Sequence, residues 1–210
     1  MRKLFITLLQ VRLAVAAITA LGVAFLVVGA LIGMPPFGFV VIALLIGLPT
    51  VLFAVKRGSS LSNSKLLTIF FVATVVALLV IQLIPYGKGR SNGLATAEPA
   101  WATPQTRELM VRACFGCHSN EVEYPAYASV APISWAVQSH IDEGRKKVNY
   151  QEWDKPQRGA DETIETIEEG EMPPHYYTMF GRHPEAKLTS EEINVLVAGL
   201  LATGGMSEND

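Results

Sequence analysis

Hydrophobic residues follow different patterns in the two halves of the chain. In the first half they form three nearly continuous stretches, at about residues 13–33, 37–55 and 66–84, and none of these contains an ionisable side chain. Each stretch is close to the ~20 residues that a helix needs to cross a hydrocarbon core about 30 Å thick. The pattern therefore predicts a membrane anchor over residues 1–87 that contains three transmembrane helices.

A signal peptide is the alternative interpretation of the first stretch, because Arg2 and Lys3 precede it. The stretch is long for the apolar part of a signal peptide, however, and two more apolar stretches follow it. We therefore expect all three stretches to be retained in the mature protein.

The second half has shorter apolar patterns, and these recur at helical spacing from residue 104 onward. Thr103 is a predicted N-cap before Pro104, and Thr189 with Glu192 forms a predicted capping box. Residues 88–103 are rich in Gly, Ala, Ser, Thr and Pro without any period, which predicts a linker. Four short helices are predicted, and they lie from residue 104 towards 114, at 133–148, at 161–169 and from 190 towards 204. No β-strand is predicted, so the fold class is all-α, with a small helical domain over 104–210.

Charge divides the chain at the same place. Residues up to Gly87 carry six basic and no acidic side chains, whereas the rest carries 11 basic and 19 acidic ones, a formal charge of −8. The six basic residues precede the first stretch or join the second to the third, and only Lys88 and Arg90 closely follow the third. The excess of basic residues on the side of the membrane that holds the N-terminus marks the cytoplasmic side. It therefore predicts a multi-pass protein of the bacterial inner membrane, with a cytoplasmic N-terminus and a periplasmic domain. The acidic domain argues against nucleic acid as a partner, because phosphates would repel it.

Cys114-Phe115-Gly116-Cys117-His118 is the attachment sequence of c-type haem. The two thiols add across the two vinyl groups of one porphyrin edge, and the histidine that follows gives its imidazole to the iron. A thioredoxin-like CxxC would need a βαβ pattern, and a zinc site would need further ligands at short spacing; neither surrounds the motif. The motif therefore predicts one covalent haem c, held by Cys114, Cys117 and His118, with His118 as the proximal iron ligand.

The ligand on the other side of the iron is left open by the local sequence. Met172 stands before Pro173 and Pro174, which stiffen an extended loop and hold a thioether at low entropic cost. The alternative for Met172 is a core methionine that fills a gap. His175 follows the same prolines and is the strongest rival as a ligand. The other candidates are His140, His183, Met110, Met179 and Met206.

Several short motifs in the second half occur in the order of a known family. They are CFGCHSNE (114–121), YP (124–125), APISW (131–135), EGR (143–145), EGEMPP (169–174) and HPEA (183–186). In these motifs the chain resembles the bacterial haem-binding domain family of monohaem c-type cytochromes, over about residues 104–201. The resemblance implies a helical, cytochrome-c-like fold, and the family's methionine ligand falls on Met172.

If His118 and Met172 both bind iron, no coordination site is left for a substrate, and the His/Met pair raises the reduction potential. We expect an electron carrier, not an enzyme, that passes single electrons to redox partners such as subunits of respiratory or photosynthetic complexes. Two alternatives need an open or displaceable sixth position. One is a haem-based gas or redox sensor, and the other is a haem peroxidase with an acid–base pair such as His175 and Glu171.

Overall fold

The structure is a computed structural model, and it describes residues 18–48, 51, 63–90 and 92–206. These residues form two compact units. The first unit comprises the described residues up to Gly89 together with Tyr127–Val137, and the second comprises Arg90–Ala126 and the described residues from Gln138 onward. Each unit has its own buried apolar cluster.

The first unit is built from helices. α1 covers residues 18–31, α2 covers Pro36–Ile42 and continues as the π-helical turn Ala43–Gly47, and α3 covers Asn63–Ile81. Trp135 is the largest fully buried side chain of this unit and packs with Ile81 and Ala131.

The prediction of three transmembrane helices is wrong for the part of the chain that the structure describes. No helix in that part is both long enough and apolar enough to cross a membrane. The seven residues of α2 rise about 10 Å before the π-helical turn, and the 14 described residues of α1 rise about 21 Å. α3 has 19 residues, but the first three are Asn63, Ser64 and Lys65, so the remaining 16 rise about 24 Å. A hydrocarbon core is about 30 Å thick. Residues 13–17, 49–50 and 52–55 of the predicted stretches lie outside the described residues.

The second unit contains the predicted short helices, with bounds that differ by a few residues. α4 covers Pro104–Ala113 and α5 is the single turn Phe115–His118. α6 covers Ile133–Lys147, of which the first five residues belong to the first unit. α7, α8 and α9 cover Thr163–Glu168, His175–Thr178 and Ser190–Leu201. Three 3₁₀ turns lie at Ala126–Ser129, Met179–Gly181 and Pro184–Ala186. Between residues 92 and 206 the only β-type pairing is an isolated bridge of Ala97 with Glu152, so the helical prediction is confirmed for this unit.

The two predicted N-caps are confirmed. The Thr103 hydroxyl accepts a hydrogen bond from the Thr106 N–H, and Thr189 forms a reciprocal capping box with Glu192. These caps satisfy main-chain N–H groups that a helix start leaves without partners. They set the starts of α4 and α9, which pack against each other.

Part of the predicted linker makes hydrogen bonds within the second unit. The Thr96 N–H donates to the Gln151 carbonyl at 2.8 Å, and the Trp153 N–H donates to the Ala97 carbonyl at 3.0 Å. Glu98 accepts hydrogen bonds from both Arg107 and Trp101. The predicted domain boundaries at 87, 88–103 and 104 stay predictions, and the structure adds that residues 96–98 are held against the helical domain.

Candidate functional site

Cys114, Cys117 and His118 lie on one turn of the chain, where α4 ends and α5 begins. The N–H of Cys114 donates to the Met110 carbonyl at 2.8 Å and closes α4. The N–H groups of Cys117 and His118 then donate to the Cys114 carbonyl at 3.1 and 3.0 Å. The i, i+3, i+4 spacing puts the three side chains on one face of this turn. All three line a single cavity, while Phe115 points into the apolar core.

The two thiols are protonated at neutral pH. Burial raises the pKa of the Cys114 thiol to about 12 and that of the Cys117 thiol to about 11. Both cysteines are free, with no disulfide between them. A redox-active CxxC holds a thiolate of lowered pKa, and these thiols have the opposite property. The burial therefore argues against the thioredoxin-like interpretation of the motif.

The main chain at Val148 orients the imidazole of His118. Nδ1 of His118 lies 3.0 Å from the Val148 carbonyl oxygen, and the Tyr150 N–H donates to the His118 carbonyl at 2.9 Å. Because a carbonyl only accepts, Nδ1 must carry the proton, which leaves the lone pair on Nε2. Burial lowers the pKa of His118, and this keeps the imidazole neutral. A neutral imidazole with a free Nε2 is ready to bind a metal.

Helix α6 approaches the CxxCH turn closely because residue 144 is glycine. A Cβ atom at Gly144 would lie 3.0 Å from the main-chain oxygen of Cys117. Such a contact is tighter than ordinary packing, so a larger residue here would move the helix away from the turn. Val148, one turn further on, is thereby held where its carbonyl reaches His118.

The cavity beside the CxxCH turn has a volume of about 700 Å³. This lies in the range typical of sites for cofactors and drug-sized ligands. Its apolar wall includes Val148, Ile167 and Pro173, and its polar lining includes His140 and Thr163. The cavity is thus a large, partly apolar space with a histidine and two thiols on one side.

Of the predicted distal ligands, Met172 and His140 line this cavity, and His175 is not among its lining residues. The side chain of Met172 is 40% exposed, and its N–H donates to the Thr166 carbonyl at 3.1 Å. His175 is exposed at the first position of α8. His140 stacks on Tyr176, whose hydroxyl lies 2.9 Å from Nδ1 of His140. Which side chain binds the iron stays a prediction.

The remaining candidates do not line the cavity. Met110 and Met206 are fully buried in the apolar core, and Met179 and His183 are absent from the lining. Glu171 lines the cavity although His175 does not, so the structure does not bring together the acid–base pair that a peroxidase was expected to use.

The sequence analysis missed three residues of the site: Gly144, Val148 and Tyr150. The predicted helix at 133–148 includes Val148, whereas α6 ends at Lys147 and frees the Val148 carbonyl for His118. Tyr150 is buried, and its ring centroid lies 6.0 Å from that of His118. Gly144 occurs in the EGR motif, which is the one sequence feature that could have pointed to this residue. Nothing in the local sequence indicates the other two.

Fold and cavity together define a class of protein: a small helical domain with a space for a cofactor beside a neutral histidine whose Nε2 carries the lone pair. Residues 76–202, more than half of the chain, match the family model described as the haem-binding domain. Neither a curated protein nor a solved structure matches the chain. The chain belongs to the haem-binding domain family, and haem is its cofactor.

The residues around the cavity fit haem. Nε2 of His118 is free to bind iron because Nδ1 is held by the Val148 carbonyl. The apolar wall at Ile167 and Pro173 suits the faces of a porphyrin, and Met172 lines the same cavity.

Proposed function

We propose that the protein is a monohaem c-type cytochrome that carries single electrons. One observation carries this proposal: the hydrogen bond between Nδ1 of His118 and the Val148 carbonyl, which leaves Nε2 for iron beside two half-buried thiols. A histidine whose only role is packing in the core would not require Cys114 and Cys117 beside it on the same turn.

The thiols of Cys114 and Cys117 are proposed to attach the cofactor covalently. Each sulfur forms a bond to one carbon of a vinyl group, and its proton goes to the other carbon. The addition consumes the vinyl double bond and needs no oxidant. Both thiols line the cavity, and each carries the proton that the addition transfers to carbon.

When bound, haem supplies an iron that alternates between the ferric and ferrous states. His118 would bind this iron through Nε2, and we propose that Met172 would supply the second protein ligand. With His118 and Met172 both bound to the iron, no coordination site would be left for a substrate, as an electron carrier requires. The residues around the iron would also keep water away from it. Ile167 and Pro173 contribute to this exclusion as parts of the apolar wall.

Covalent attachment is the decisive test. The protein would be expressed with a c-type haem maturation system, denatured, and extracted with acidified acetone. We expect the haem to stay with the polypeptide and to give the spectrum of a bis-thioether haem after reduction in alkaline pyridine. The matched controls are Cys114→Ala and Cys117→Ala, each of which should give the spectrum of a haem with one thioether. Haem that is extracted completely from the unaltered protein would refute the proposal.

A second candidate function is reversible binding of a small gas at the iron. The exposure of Met172, at 40%, favours it, because a partly exposed thioether on a loop is easier to displace than a buried one. Addition of carbon monoxide to the reduced protein separates the two functions. An unchanged spectrum supports the carrier, and a large immediate change supports gas binding.

The location of the protein is also a proposal. We propose that the haem domain lies outside the cytoplasm of a bacterium and that the first unit keeps it at the membrane. Exposed apolar side chains on α3 support this, among them Phe71 at 67% and Leu79 at 66% exposure, since a lipid surface or membrane partner would remove them from water. The redox partners are proposed to be other proteins of the electron-transfer chain at that membrane. Fractionation of cells, followed by a high-salt and an alkaline wash, tests the location. Recovery of the protein with soluble cytoplasmic proteins would overturn it.

A further inference from the structure

The loop between α6 and α7 holds one arginine at the cavity on a firmly anchored backbone. On one side of Arg158, the Gln157 side chain accepts a hydrogen bond from the Asn149 N–H at 2.8 Å. On the other side, the Gly159 N–H donates to the Lys147 carbonyl at 3.1 Å. These two bonds tie Arg158 to the same short segment whose Val148 carbonyl orients His118.

Most basic side chains of the second unit already have partners. Arg107 pairs with Glu98 at 2.7 Å, Arg112 pairs with Glu192 at 2.7 Å, and Arg145 donates to the Ser119 carbonyl at 2.8 Å. Lys147 and Lys155 pair with Glu162 and Glu152. Arg158 lines the cavity with its side chain exposed, and it has no hydrogen-bond or ion-pair partner among the described residues.

An arginine without a partner at the wall of a cofactor cavity points to an anionic group on the cofactor. Haem carries two carboxylates, and they lie on the porphyrin edge opposite the vinyl groups that the cysteines bind. We propose that Arg158 binds a haem carboxylate and thereby sets the orientation of the porphyrin and the ionisation of that carboxylate. This inference rests on the proposed function, because the two thioethers determine which edge is left free.

The choice of Arg158 over its neighbours follows from chemistry. Lys146 also lines the cavity and is exposed, but an ammonium is a single strongly hydrated charge on a flexible stem. A guanidinium is planar and can donate two parallel hydrogen bonds to one carboxylate. The Lys147 side chain is already paired with Glu162. Three acidic residues also line the cavity, namely Glu143, Glu162 and Glu171. The carboxylate next to the Arg158 segment is that of Glu162, and its charge is offset by Lys147 at 3.5 Å.

The test is an NMR titration of the haem carboxylates, labelled with ¹³C through a labelled precursor, in the full-length holoprotein. In Arg158→Gln we expect the pKa of one carboxylate to rise, because its ionised form loses a charged hydrogen-bond donor. The midpoint potential should then rise more steeply as the pH falls, because protonation removes a negative charge near the iron. Arg158→Lys should give an intermediate titration curve. The matched control is Lys155→Gln, a lysine of the same loop that does not line the cavity.

The outcomes separate this inference from the proposed function. If Arg158→Gln and Lys155→Gln both titrate like the unaltered protein, the inference is wrong although the cytochrome assignment stands. If Lys146→Gln shifts a carboxylate and Arg158→Gln does not, the carboxylate partner is the lysine and the assignment to Arg158 fails. If the unaltered protein carries no covalent haem, the proposed function itself fails. Far-UV circular dichroism of each variant checks that the fold is kept.

Discussion

Nδ1 of His118 and the carbonyl oxygen of Val148 are 30 residues apart in the sequence and 3.0 Å apart in the structure. The carbonyl is free because α6 ends one residue earlier, at Lys147. A main-chain group thus selects the tautomer of the proposed iron ligand, which makes the orientation of the imidazole independent of the side chain at 148. A second bond, from the Tyr150 N–H to the His118 carbonyl at 2.9 Å, holds the two segments together.

Substitution of Gly144 should separate α6 from the CxxCH turn. Gly144→Ala places a Cβ atom 3.0 Å from the main-chain oxygen of Cys117, which cannot rotate away as a side chain would. The overpacking outweighs the better helix propensity of alanine, so we expect the free energy of unfolding to fall by about 1–2 kcal/mol. Urea denaturation measures this, and covalent haem content should fall with it.

Gly159→Ala is the matched control for this variant. A Cβ atom at Gly159 would meet its nearest neighbours at 3.6–3.7 Å, which is ordinary van der Waals contact. Stability and haem content should stay close to those of the unaltered protein. Equal losses in the two variants would show that the close approach at Gly144 is not what holds the turn.

Removal of the Met172 thioether should open the distal side of the iron. In Met172→Ala we expect rapid binding of carbon monoxide to the reduced protein and a lower midpoint potential, because a His/Met pair raises the potential. Met179→Ala is the control, since Met179 is absent from the cavity lining. A Met172→Ala protein with an unchanged spectrum would assign the distal position to another residue, and His140 would be examined next.

The loop that presents Met172 depends on a left-handed residue. Gly170 has φ of +72°, directly before Glu171, whose N–H donates to the Thr166 carbonyl at 2.9 Å. A Cβ atom there meets no other group, so Gly170→Ala costs only the backbone term of about 1–2 kcal/mol. We expect the free energy of unfolding to fall by that amount. We also expect Met172 to bind the iron less firmly, so that the reduced protein binds carbon monoxide in part. Gly204→Ala has open space and no positive φ, and it should change neither property.

The capping box of α9 should make stability depend on acid pH. Hydrogen bonds from Thr189, and then from Arg112, lower the pKa of Glu192 from its ordinary value of 4.5 to about 2. A lowered carboxylate pKa stabilises the fold fully above the unfolded value, and this stabilisation is lost as the pH falls from about 4.5 towards 2. In Glu192→Gln the melting temperature should therefore vary less with pH in that window. Glu191→Gln, in the same first turn, should leave the slope unaltered; a flatter slope there as well would contradict this assignment.

The haem-attachment motif, the two N-caps and the positions of the short helices were all predictable from sequence. Each depends on residues within about four positions of one another, such as Thr189 with Glu192 or Cys114 with His118. The family match over 76–202 rests on the same kind of information. The membrane-spanning prediction is wrong for the described residues because apolar stretches were equated with continuous α-helices. The helix of the third stretch ends at Ile81 and does not reach residue 84, and the second stretch changes from α- to π-helix at Ala43.

The sequence by itself determined that Cys114, Cys117 and His118 share one helical turn, because they lie within four positions of one another, and that the chain belongs to the haem-binding domain family. Only the tertiary structure decided that the Val148 carbonyl orients the imidazole and that Met172 lines the cavity while His175 does not. It also decided that Arg158 has no partner among the residues that the structure describes. These relationships join segments that are tens of residues apart. They depend on the path of the chain between helices, which the local pattern of side chains does not encode.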